Sequence, residues 1–89
     1  MKTVEVLDQI LAQRGKTHGD FTDNAQVSQD LKQVVEASVN WDKLSAVQKE
    51  AIHMILHKIS RIVSGNANEP DHYDDIAGYA TLAKDRLPS

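Results

Sequence analysis

The chain has 89 residues, with ten Lys+Arg against thirteen Asp+Glu, a net charge of −3 with neutral histidines. That length makes one domain, residues 1–89, with a modest core that further subunits would extend, and its mild acidity argues against a general nucleic-acid surface. The absence of cysteine excludes disulfides, zinc–thiolate sites and a thiol nucleophile.

The N-terminal Met1-Lys2-Thr3-Val4-Glu5 lacks the apolar stretch of a signal peptide. Nor does any run approach the ~20 apolar residues of a membrane span. The expected compartment is the cytoplasm. Helix one is predicted over about 3–14, with Thr3 as N-cap. Val4, Leu7, Ile10 and Leu11 form its apolar stripe, and Gly15 ends it. A polar turn follows, Arg14 to Phe21, with Gly19 requiring an unusual backbone angle. Gly15-Lys16-Thr17 superficially matches the end of a P-loop. The upstream glycine of that motif would fall at Ile10, in mid-helix with no strand before it, so the match is rejected. What remains is a loop carrying Lys16 and His18.

Helix two is predicted over about 21–38, starting near Asp20 or Thr22. Its inner face is Asn24, Val27, Leu31, Val34 and Val35. Asn24 is polar on that face and needs partners there, either the backbone of the preceding loop or a ligand. A connector, Asn40 to Leu44, tucks Trp41 and Leu44 against the bundle. Helix three, about 45–64, has the clearest start, because Ser45-x-x-Gln48 is a capping box. Ile52, Ile55, Leu56, Ile59, Ile62 and Val63 run along one face, and Gly65 stops the helix. Pro70 suits the first position of helix four, about 70–87. Asp71, Asp74 and Asp75 in its first turns offset the helix dipole. Ile76, Tyr79, Ala80, Ala83 and Leu87 carry its inner face, with His72 pointing inward, and Pro88 ends it. Gly78 costs roughly 1 kcal/mol relative to alanine, which a close neighbour would justify. The fold class is therefore all-α, a single four-helix bundle-like domain.

The chemistry concentrates on helices three and four. At 3.6 residues per turn, Glu50, His53, His57 and Arg61 share the side of helix three opposite its apolar face, with Lys58 at the boundary. One reading is a solvated polar face. The other has Lys58 and Arg61 holding phosphate oxygens, Arg with a planar fork and Lys with a point charge, joined by Lys16 from the loop. Two histidines four apart, His53 and His57, can also bind a metal. Met54 among these polar residues suggests that another helix or subunit covers part of that side. On helix four, Asp71 and Asp75 lie one turn apart on the edge of the apolar face. Such carboxylates, with Glu50 from helix three, are the oxygen ligands that Mg²⁺ or Mn²⁺ prefers. His57, Tyr79, Asn24 and His18 would line the pocket. A plain salt-bridged hairpin between the two helices explains the same charges. No Ser/His/Asp triad or dinucleotide fingerprint is present, no catalytic residue can be named, and no clustered Lys/Arg marks a DNA-recognition helix.

Several segments taken together resemble a known family. They are Arg14-Gly15-x-x-His18-Gly19-Asp20-Phe21-x-x-Asn24-Ala25, Trp41-x-x-Leu44-Ser45-x-x-Gln48-x-x-Ala51, His57-Lys58-Ile59-x-Arg61-Ile62 and Asp74-Asp75-Ile76-Ala77-Gly78-Tyr79-Ala80. They look like a small phage and prophage domain of unknown function, over nearly the whole chain. That family is similar to nucleotide-modification-associated phage proteins. More distantly it is similar to the all-α nucleotide pyrophosphohydrolases of the MazG and dUTPase type, which are oligomeric bundles that bind Mg²⁺ through carboxylates. The chain departs from those enzymes where they carry Glu-x-x-Glu and Glu-x-x-Asp. Here the corresponding segments read Glu50-x-x-His53 and His72-x-x-Asp75, so only Asp75 carries over. The resemblance implies a phage or prophage accessory protein in a bacterial host cytoplasm, a homo-oligomer binding a nucleotide or related phosphorylated small molecule. Metal-dependent pyrophosphohydrolase activity would be its reaction if it has one. The alternative is a non-catalytic helical protein–protein interaction module.

Overall fold

The long central helix organises the molecule. A computed structural model describes residues 6–11 and 19–88, which form helices with no strand among them. Residues 6–11 are helical (α1). They are followed by α2 (Phe21–Glu36), a 3₁₀ turn (Trp41–Lys43), α3 (Ala46–Ser64) and α4 (Pro70–Lys84). α3 packs against both α2 and α4. This is the expected all-α, bundle-like architecture. The remainder of the predicted first helix, with Thr3, Val4 and Gly15, lies outside the described residues.

Local chemistry explains the helix ends. Asp20 caps α2, its carboxylate accepting from the backbone N–H of Thr22 and Asp23. The capping box of α3 forms in full. Ser45 Oγ accepts from Gln48 N at 3.1 Å, and Gln48 Oε1 accepts from Ser45 N at 2.9 Å, satisfying two backbone donors reciprocally. Pro70 occupies the first turn of α4, and Tyr73 closes the preceding turn by donating to Ala67 O at 2.9 Å. α2 stops at Glu36 rather than at 38, where the chain tightens with Ser38 N donating to Val35 O. α4 stops at Lys84 rather than 87. Arg86 and Leu87 donate to carbonyls three residues back, the tightening common in a last turn.

Gly19 holds φ +84°, and a Cβ there would fall 2.0 Å from Ser64 O. Only glycine satisfies both constraints. The entry to α2 is thereby pinned to the exit of α3, so these helices run antiparallel. α3 and α4 also run antiparallel, because Lys58 meets Asp75 while Val47 and Ala51 share a groove with Leu82 and Ala83.

The interior departs from the sequence expectation. Among the described residues five are buried, and four of these are polar: Asn24, Ser28, Ser60 and His72. Ala51 is the single buried apolar residue. The apolar stripe of α3 is only half-buried from Ile52 to Ile62, and Val63 is 65% exposed. Leu7, Ile10 and Leu11 of α1 are exposed, as are Val34 and Leu87, all of which were expected to face inward. α2 presents Asn24 and Ser28 to the interior, four residues apart on one face, while Val27, Leu31 and Val35 flank them half-buried.

Candidate functional site

The antiparallel packing gathers polar residues at one end of the bundle. The beginning of α2, the end of α3 and the beginning of α4 meet there. They bring Asn24 and Ser28, Lys58, Ser60 and Arg61, and His72 and Asp75 to a common level. Lys58 is the most unusual of these. Its side chain is 12% exposed, and its Nζ lies 2.8 Å from Asp75 Oδ2. A lysine is rarely buried unless paired, so Asp75 is what permits this position. The Asp75 carboxyl titrates below its usual value of 3.8. The hydrogen bond from Lys58 and its charge are the main causes, and the nearby His72 and Arg61 add to them. Lys58 bonds this carboxylate, and Arg61 and His72 lie near enough to act on its charge.

Ser60 Oγ donates to His57 O at 2.6 Å, which satisfies the hydroxyl within its own helix. Ser28 Oγ is buried without a hydrogen-bond partner among the described residues. A buried hydroxyl left without a bond carries a desolvation cost. His57 is half-buried one turn before Arg61. His72 is 1% exposed, in keeping with a histidine integrated into the packing.

Other expected site residues lie elsewhere. Glu50 is about 12 Å from Lys58 along α3, at roughly 1.5 Å per residue. It lines an apolar groove with Tyr79 at the opposite end of the helix pair. Asp71 is exposed in the first turn of α4. Lys16 and His18 lie outside the described residues. His53 belongs to a separate interhelical cluster. Its Nε2 is 2.7 Å from Glu36 Oε1 of α2. Its ring lies 5.1 Å from that of Trp41, over which Lys49 also sits at 5.9 Å. The polar face of α3 is therefore partly a packing face, and sequence reasoning missed Glu36 as its partner.

A resident divalent cation does not fit these residues. Such an ion needs several oxygen ligands converging on one point. Asp75 is engaged by Lys58, Glu50 stands at the opposite end of the helix pair, and among the described residues no three His, Asp or Glu side chains gather into a metal site. No helix of the described residues is long and apolar enough to cross a membrane.

The sequence matches a domain family of unknown function, DUF6378, over residues 3–87, and the chain belongs to that family. Neither the curated proteins nor the solved structures offer a match.

Proposed function

We propose that the polar end of the bundle binds a phosphate-bearing small molecule, with a nucleotide as the favoured class. The observation that carries this reading is Lys58, whose side chain is 12% exposed and whose ammonium is held by Asp75, with Arg61 and His72 near the same carboxylate. Lys58 and Arg61 bring two cationic side chains to the one carboxylate of Asp75. Arg61 would offer two parallel donors to phosphate oxygens and Lys58 a point charge, while Asp75 keeps the ammonium oriented before the ligand arrives. The unpartnered Ser28 hydroxyl and Asn24 supply polar groups for the non-phosphate part of the ligand.

The motif resemblance to nucleotide-modification-associated phage proteins and all-α pyrophosphohydrolases supports the nucleotide class. It also supports an accessory role for a phage or prophage in a bacterial host cytoplasm. The reading is one of binding. Because the residues do not gather a cation site, no hydrolytic step is assigned.

Isothermal titration with pyrophosphate and a panel of ribo- and deoxynucleoside di- and triphosphates, with and without Mn²⁺, tests the proposal. One class is expected to bind, and Arg61→Ala is expected to weaken it by at least about tenfold, or about 1.4 kcal/mol, with the circular dichroism unchanged. Absence of heat across the panel, or equal binding by Arg61→Ala, would refute it.

A further inference from the structure

The Lys58–Asp75 pair is unequally buried, and the asymmetry decides which partner can leave. The lysine side chain is 12% exposed and the aspartate side chain 47%. A carboxylate so exposed regains its hydration when it lets go. An ammonium so enclosed does not, and leaving it without a counter-charge is strongly unfavourable. Asp75 can therefore depart only when another anion takes its place. Nothing else holds it, for Asp75 makes no hydrogen bond or ion pair with any other described residue.

Arg61 follows Lys58 by three positions on α3, which makes the two neighbours on the helix surface. It is half-buried, and its charge acts on Asp75. Its guanidinium makes no hydrogen bond or ion pair with any described residue, so its fork of donors is uncommitted. A tethered carboxylate outcompetes a free one for Lys58, because its effective concentration is high. An anion that meets Arg61 as well as Lys58 gains contacts that the aspartate does not make. Phosphate oxygens suit both side chains.

We propose that Asp75 is a displaceable internal anion, filling the position of a ligand phosphate at Lys58 until binding exchanges it for that phosphate. The inference rests on the phosphate-site reading above and adds that the site opens by exchange. Asp75 then acts as a threshold. Neutral molecules and single carboxylates leave the pair closed, whereas a phosphate group that engages both cations opens it. The one carboxylate that the pyrophosphohydrolase resemblance carries over as a metal ligand serves a lysine instead.

Isothermal titration of the full chain with inorganic pyrophosphate tests the exchange. The variants are Asp75→Asn, Asp74→Asn, and Asp75→Asn combined with Lys58→Met. Asp74 is exposed, and its substitution makes the same change in net charge without removing the partner of Lys58. Asp75→Asn is expected to tighten the pyrophosphate Kd by at least about tenfold, because the ligand then pairs an enclosed charge without displacing another. Asp74→Asn should change it by less than about threefold, the scale of an exposed charge. The gain should vanish when Lys58→Met removes the ammonium. Pyrophosphate should also raise the melting temperature of Asp75→Asn more than that of the wild type, a readout that survives a weakened fold. Equal or weaker binding by Asp75→Asn would overturn the proposal. So would a gain matched by Asp74→Asn or kept after Lys58→Met. Silence of the wild type across the whole phosphate panel, with Asp75→Asn still binding through Lys58, would refute the ligand reading but uphold Asp75 as the internal anion.

Discussion

Asp75 shows how much one residue decides here. Its carboxylate accepts from Lys58 at 2.8 Å, which stabilises the charged form and lowers its pKa in the fold. A lowered carboxyl pKa contributes stability that is fully present above the unfolded-chain value, near 3.8. This contribution declines as pH falls below that value and is gone once pH passes the lower folded-state value. Urea unfolding midpoints should therefore be higher for the wild type than for Asp75→Asn at pH 7, with the difference closing at pH 3. A difference independent of pH would mean that Asp75 acts through packing instead. The sequence made Asp75 and Lys58 legible as candidates because helical spacing put each near the edge of an apolar face. It could not pair them, since pairing depends on how two helices rotate against each other.

At the scale of elements, the helices follow local rules closely. Ser45 and Gln48 start α3, Pro70 starts α4, and Asp20 with Gly19 sets the entry to α2. The exception is Gly78, which weakens α4 without the compensation of a close neighbour among the described residues, none of which comes within 4 Å of where its Cβ would be. Gly78→Ala is expected to raise unfolding stability by roughly 1 kcal/mol, read from urea denaturation at fixed protein concentration. A loss of stability would reveal a chain or ligand approaching that glycine. α3 departs from expectation in a different manner. Periodicity read one apolar face and one polar face, yet from Ile52 to Ile59 every position is half-buried. A helix flanked by two others buries parts of both faces, which is why His53 meets Glu36 across 17 residues of sequence.

For the whole molecule the decisive fact is the balance of buried and exposed surface. The interior of the described chain is mostly polar and much apolar area stays outside. Burial of apolar area is the main favourable term in folding, about 25 cal/mol per Å², so association that covered such area would add stability. The melting temperature should accordingly rise with protein concentration, as mass action requires for a folded oligomer. Differential scanning calorimetry over a hundredfold dilution would detect the shift, and an invariant melting temperature would count against association.

The amino-acid sequence by itself determined the helical class, the ends of α3, the start of α4 and the need for glycine at position 19. These depend on capping, backbone sterics and contacts within a few residues, all of which are local. Only the tertiary structure decided which polar residues would be buried and which partners they would meet. It brought Lys58 to Asp75 and His53 to Glu36, and it separated Glu50 and Tyr79 from the polar end. Those outcomes depend on the rotation and direction of whole helices. The covering of half-buried faces sets that arrangement, and a single helix does not encode it.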